Sequence, residues 1–403
     1  MLQLILGRAG SGKTYRIREQ VKQLAEQNTE KIMLLVPEQY SFESEKAMLK
    51  LLGPKQVNKV QVMSFTRLTD MAFRSYGGSG IAKLDDGGRN IFMSLALEEV
   101  KEELEFYVTR VEELIPFMLS MSAELKMCAI APAVLLETAQ QTEDKKLKQK
   151  LKEVGMILSA YDALVAQSYL DPLDDLQRLK HTFTEHRFFE GYHIYIDSFE
   201  GFTQQEFDLI ELMLSQASEV TVSLSCDTLD NQIGAEVFAR VRHTANVLMR
   251  MARQHHVQVS APIVLEPGIR FATEDLKHLE HQIFRVEKEP LSNVSDAITL
   301  YSGETVYNEA AYIGATIRHL VINEGYQYQD FAIIARSLDH YRGILDVTLE
   351  QYEVPYFMDT PRSVYAEPLM CLVLYALQIL KSNFSSDDMF VYLKTGLAGL
   401  TPY

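Results

Sequence analysis

Several features are missing from this 403-residue sequence, and each absence removes a class of protein. No apolar run is long enough to span a bilayer, so a membrane partner is not expected. No charged-then-apolar leader precedes the first strand-like segment, which argues against a secretory signal and for the cytoplasm. Only three cysteines occur (Cys128, Cys226, Cys371), with no CxxC pair and no even framework. They fit a reduced compartment, with packing as their ordinary role. His255, His256, His278 and His281 lack acid or cysteine partners at metal-ligand spacing. Internal repeats and low-complexity tracts are absent too.

What is present is a chain that is 47% hydrophobic, enough to bury a large core in two or three domains. Its formal charge is −16 and its pI near 5.2. That balance argues against nonspecific coating in nucleic acid, but leaves room for a local basic groove.

Short aliphatic or β-branched runs at Leu2–Leu6, 32–36, Val60–Met63, His193–Ile196 and 220–224 read as buried strands. Helical periodicity fills the gaps, as at 14–26 and 203–217. Strands alternating with helices predict an α/β domain with a mostly parallel sheet. Between about 84 and 190 strands give way to amphipathic helices, and the charge run at 144–152 reads as a solvated helix face. The expected organisation is therefore one α/β domain from 1–84 plus 191–290, with an all-helical insertion at 85–190. After a looser stretch at 264–296, "AITLYSG", "DFAIIAR" and "VPYFMD" read as strands of a second, incomplete α/β unit over 291–403.

The opening run "LQLILGRAGSGKTYRI" matches G-x-x-x-x-G-K-[ST] at Gly7, Gly12, Lys13 and Thr14, with Gly10 between them. A strand precedes it and a helix follows, the context the pattern requires. Glycines let backbone N–H groups turn inward on a phosphate, and the helix N-terminus adds partial positive charge. Lys13 would reach the β- and γ-phosphates of ATP, and Thr14 would place its hydroxyl on Mg²⁺. The competing reading is a Gly-rich β–α turn with an incidental lysine.

A phosphate loop needs a second strand ending on an acid, and "IYIDS" ends on Asp197, a candidate Mg²⁺ ligand. The next residue, where a motor keeps the acid that activates water, is Ser198. A serine hydroxyl is not basic at neutral pH, and losing a general base costs typically ~10²–10⁴ in rate. Glu200 and Glu206 are the nearest substitutes.

Several segments, in order, resemble superfamily 1 DNA helicases of the Rep and UvrD type. "VQVMSFTRLTDMAFR" looks like the Ib segment lining the single-stranded DNA path, and "LLVPEQYSFESEKAM" sits where segment Ia belongs. "YLDPLDDL" is similar to the stretch before the acid strand, and "FAIIARSLDHYRGILDVTLEQYEVPYFM" to a segment carrying an arginine in the second motor domain. The combination of "GRAGSGKT", "VPEQYSF", "SFTRL", "IYIDSFEGFTQQEF" and "VPYFMD" resembles the AddB family more narrowly. These are the B subunits of bacterial helicase/deoxyribonucleases of Gram-positive type.

That resemblance implies a P-loop, RecA-like domain 1A, a helical domain 1B and the start of a second RecA-like domain 2A. It also implies a helicase-like subunit without motor activity that binds single-stranded or duplex-end DNA and helps recognise the recombination hotspot Chi. Its partner would be the AddA motor–nuclease in a heterodimer that repairs double-strand breaks. The family's nuclease and iron–sulfur cluster lie in a C-terminal part that nothing here matches. "LSCDTLDNQ" replaces the motor's sensor segment, and "LEHQIFR" is only faintly similar to the arginine segment at the γ-phosphate.

Strand ends of an open α/β sheet face the ligand crevice. Phe65 and Arg67, and Phe199 and Phe202 beside Asp197, are therefore candidate DNA contacts, the rings by stacking and the arginine through phosphate or a guanine edge. Core packing is the alternative for each ring. Gln39 and Ser41 in "PEQYS" could bond bases or backbone, or sit in a solvated loop. Arg336 could approach the nucleotide from the second unit, or form a surface ion pair. An active DNA-dependent ATPase and a non-enzymatic scaffold for the motor subunit stand as the alternative functions.

Overall fold

Six aliphatic segments pair as one parallel sheet: β1 (Leu2–Leu6), β2 (Ile32–Leu35), β3 (Val60–Met63), β4 (His193–Ile196), β5 (Glu219–Leu224) and β6 (Ile263–Val264). The strand order is β3-β2-β4-β5-β1-β6. In this computed structural model the described residues are 1–403 without 28, 78–79, 108–110, 231–235, 267, 284–287, 293–295, 359–363 and 400–403. The chain divides into Met1–Ile298, which holds the sheet, and Thr299–Tyr403.

The period-2 alternation of each strand explains why the sheet is buried on both sides. Leu2, Leu4 and Leu6 of β1, Met33 and Leu35 of β2, and Ile194 and Ile196 of β4 face one core. That core is completed by α3 (Phe65–Tyr76), α8 (Asp175–His186), α9 (Gln204–Gln216) and α10 (Ala239–Gln254). The intervening residues Ile5, Ile32, Leu34 and Tyr195 face a second core with α1 (Lys13–Glu26) and α2 (Glu38–Gln56). Burying each such side chain contributes roughly 1.5–3 kcal/mol. A one-residue slip of register would exchange the two faces of a strand.

The five expected strands are present. The sixth, β6, falls where a looser stretch was expected. It is two residues long, follows Pro262 and pairs beside β1 (Ile5 with Ile263, Leu6 with Val264), too short to leave a periodic signal.

Between α3 and β4 the chain is helical, as expected: α4 (Asp86–Glu99), α5 (Val111–Met127), α6 (Pro132–Gln141) and α7 (Lys145–Ala166) precede α8. The first four share a separate core built on Met93, Leu97, Met118, Ile157 and Tyr161. Leu179 and Phe183 of α8 join the sheet core instead. Two buried polar clusters brace the helical region. Lys126 reaches Asp171 (3.0 Å), Asp174 (2.7 Å) and Asp162 (3.3 Å). Glu153 accepts the backbone N–H groups of Glu105, Phe106 and Tyr107 and the amide of Gln149. Burial alone would raise its pKa, but these hydrogen bonds hold it below the usual glutamate value. No single helix among the described residues is long and apolar enough to cross a membrane.

After α11 (Glu274–Gln282), the second unit contains α12 (Val306–Glu324), α13 (Leu345–Gln351), α14 (Pro368–Lys381) and α15 (Ser386–Lys394). Its small core gathers Ala310, Ile317, Leu345, Leu349 and Val354. The strands expected here do not form among the described residues. "AITLYSG", "DFAIIAR" and "VPYFM" lack ladder partners, and Leu300, Ile334 and Phe357 on them are 97, 92 and 91% exposed. β-rich composition favours extended backbone, but a strand exists only when another pairs with it. Asp359, the last residue of "VPYFMD", lies outside the described residues.

Candidate nucleotide and nucleic-acid site

β1 ends at Leu6, and the loop Gly7–Gly12 turns directly into α1. Gly12 caps that helix in the left-handed region (φ 89°), which only glycine adopts at no steric cost. No side chain caps α1 and no acid stands in its first turn, so its leading N–H groups remain available. Gly10 also has positive φ (73°). Gly7 donates its N–H to Leu224 O at 3.3 Å, tying the loop to β5, and a side chain on Gly7 would strike the Ser11 hydroxyl. The buried Ser11 Oγ has no partner among the described residues.

Lys13 Nζ donates to Gly7 O (2.7 Å) and Arg8 O (3.0 Å), folded back along the loop. Burial draws its pKa below the ordinary lysine value, against the opposing fields of Asp197, Cys226 and Glu280. A desolvated ammonium aimed along a glycine loop suits a polyphosphate, and Thr14 stands in the first helical turn beside it.

Asp197 ends β4, one strand removed from β1 with β5 between them. It is 3% exposed, and Ser223 of β5 donates its hydroxyl to Oδ1. Loop, lysine and aspartate thus share one edge of the sheet, and the backbone donors, ammonium, hydroxyl and carboxylate gathered there suit the chemistry of a nucleoside triphosphate with its cation. Among the described residues, no three His, Cys, Asp or Glu side chains form a metal cluster by themselves.

Ser198 is exposed and left-handed (φ 66°), turning the chain away at the strand end. Of the two nearby acids, Glu206 is committed to a helix cap. Its carboxylate accepts from Thr203 N (2.7 Å) and Thr203 Oγ1 (3.1 Å) in a capping box at the start of α9. Glu200 is exposed on the turn.

Sequence reasoning missed the residues that brace the loop. Arg8 Nε binds Glu280 Oε1 at 2.9 Å, its Nη2 donates to Glu280 O at 2.6 Å, and Asp227 lies 3.5 Å from Nη1. Arg270 donates its N–H to Gly10 O at 3.1 Å, and its side chain starts against the loop: a Cβ on Gly10 would meet Arg270 Cβ at 2.8 Å and Cδ at 3.5 Å. The available signal was the turn pair Pro267–Gly268 after an aliphatic segment, since a strand parallel to β1 must end at the edge that carries the phosphate loop. Beneath the loop, burial and Asp227 push the Cys226 thiol up to about 11, so it stays protonated at neutral pH. Arg242 lies near it, 6% exposed, with Nε and Nη1 unpartnered among the described residues.

The candidate DNA contacts divide by exposure. Phe65 is 7% exposed and packs in the sheet core, edge-on to Phe199 with ring centres 5.8 Å apart. Phe199 and Phe202 are half-buried, 5.1 Å apart, and form a cap over that core at the turn after Asp197. Arg67 is half-exposed and paired with Glu45. Ser41 is buried and donates its hydroxyl to Glu38 O (2.9 Å), while Gln39 beside it is exposed. Arg336 is exposed in the second unit. Asn231 and Gln232 of "LSCDTLDNQ", and Phe284 and Arg285 of "LEHQIFR", lie outside the described residues.

The family profile described as "ADDB, N-terminal" matches residues 4–280. Among curated proteins, the chain is 31% identical over 409 residues to the B subunit of the ATP-dependent helicase/deoxyribonuclease of Clostridium kluyveri, covering 99% of this chain and 36% of that protein. The proteins of the same name from Clostridium tetani (28% over 414 residues; 99% and 36%) and Clostridium acetobutylicum (29% over 407 residues; 100% and 35%) are similar. The chain spans a little over a third of the length of these relatives.

Proposed function

The chain belongs to the AddB N-terminal family, and from that premise we propose that it is the nucleotide-holding, DNA-contacting part of a helicase–nuclease subunit, without motor activity of its own. In this reading the sheet is a RecA-like P-loop domain. Lys13 and the N-terminus of α1 hold the phosphates of ATP, and Thr14 and Asp197 hold Mg²⁺. The partner is an AddA-type motor–nuclease, acting with this subunit in the cytoplasm on broken duplex ends, with a role in reading Chi. An iron–sulfur cluster belongs to the part of such relatives that this chain does not cover.

The observation that carries this reading is the contrast at one sheet edge. The phosphate loop leads into an uncapped helix and its lysine is desolvated, while Asp197 is followed by Ser198 and one of the two nearby acids, Glu206, is tied up as a cap. Such a site supports binding and lacks the group that activates water.

The test measures binding and turnover separately on the purified chain. ATP–Mg²⁺ binds with an affinity that Lys13→Ala weakens, while hydrolysis stays near background with or without single-stranded DNA. Brisk DNA-stimulated turnover abolished by Glu200→Gln would sink this reading and assign the exposed Glu200 as the missing acid. Failure of ATP to bind would favour a scaffold.

A further inference from the structure

We propose that the solvent face of α10 is a second nucleic-acid track, which holds the phosphodiester backbone of a strand leaving the turn after Asp197. It rests on the reading of the chain as a DNA-contacting module and assigns that contact to residues outside the Phe65–Arg67 region.

The sequence from 237 to 265 holds four arginines and three histidines and no Asp or Glu, within a chain of net charge −16. Apart from the apolar α14, α10 is the one described α-helix with no carboxylate at all. Its buried side carries Val241, Ala245, Leu248 and Ala252 into the sheet core. The opposite side exposes Arg240, His243, Asn246, Arg250 and Arg253 at helical spacing, so the positive charges form one stripe. From Arg240 to Arg253 the stripe runs about 20 Å at 1.5 Å per residue. None of these three arginines forms an ion pair with a described residue.

An ordinary solvated face mixes charge signs, as α2 does with Glu38, Glu43, Lys46 and Lys50, whereas an arginine row without carboxylates on its own helix concentrates positive potential where a polyanion can use it. Arginine rather than lysine suits phosphate, because its planar fork bonds two oxygens at once. The stripe also starts in the right place. A side chain on Gly201 would lie 3.5 Å from Arg240 Nε and 3.6 Å from Thr244 Oγ1. Arg240 therefore leans over the turn that carries Ser198, Phe199 and Phe202. A strand stacked on those rings would pass its phosphates directly to α10.

The experiment is fluorescence anisotropy of a labelled twenty-nucleotide oligothymidylate with the whole chain across a salt series. The comparison is with the combined Arg240→Gln, Arg250→Gln and Arg253→Gln variant, and with Arg67→Ala. All three α10 positions are exposed, and retained ATP binding with an unchanged melting transition checks the fold. Each backbone contact on a single strand contributes about 0.7 to the slope of log affinity against log salt, so the triple variant should lose about 2 in slope and at least tenfold in affinity at low salt. Arg250→Glu alone should weaken binding in the same direction. Wild-type binding with an unchanged slope in the triple variant overturns the track and leaves the DNA-binding reading intact. Failure of the wild type to bind overturns both.

Discussion

The carboxyl ends of β1 and β4 stand one strand apart on the same edge of the same sheet, and they are built on opposite terms. At the end of β1 the chain presents backbone. Glycines at positive φ, an uncapped helix start and a desolvated lysine leave donors looking for an anion. At the end of β4 it presents packed side chains. Asp197 is held by Ser223, Ser198 turns outward, and Phe199 and Phe202 close over the core against Phe65. Under the proposed function, holding a nucleotide rests on the β1 end and one carboxylate, while consuming it would require a further acid, and of the two acids after Ser198 one is already a helix cap.

Four measurements test this contrast. The largest effect falls on the packed end. Phe65→Ala removes the ring beneath the turn and should lower unfolding free energy by about 3–5 kcal/mol in denaturant titration. A loss confined to DNA affinity, with stability unchanged, would instead make Phe65 a stacking residue.

At the open end, Lys13→Ala should weaken ATP binding by roughly 10- to 100-fold in calorimetry, the range of a charge-assisted hydrogen bond of about 1.5–3 kcal/mol. An unchanged affinity would mean that the loop does not hold the phosphates. Third, Asp197→Asn should abolish the gain in ATP affinity that Mg²⁺ provides, about tenfold or less, and leave binding in EDTA as it was. Equal losses with and without metal would make Asp197 a structural residue alone. The smallest effect is expected from Glu200→Gln, which should leave hydrolysis within about twofold of the wild type.

Much of this was readable in advance because it is local. Five strands announced themselves by aliphatic runs, and the phosphate loop by spacing between a strand and a helix. Ser198 was visible as the residue after an acid strand. The parts that were not readable depend on partners far away in sequence. Nothing near Arg8 indicates that Glu280 will pair with it, and β6 is too short to register as a strand. The burial of Phe65 depends on Phe199 arriving from the far side of the helical insertion. In the second unit the error ran the other way. "DFAIIAR" carries the composition of a strand, but composition predicts backbone shape and pairing requires a neighbour.

The strand order carries a further consequence for how the protein is made. β2 and β3 can pair as soon as the third strand is synthesised, but β1 pairs only with β5 and β6. Leu2 must wait for Val220, some 218 positions later. At about 5–20 residues per second, that interval is roughly 10–45 s on a translating ribosome. Throughout it the five-residue apolar strand that precedes the phosphate loop has no ladder. The strand that carries the glycine loop is thus made early and completed late, so any ligand of that loop would report only on a chain whose distant strands have already closed around it.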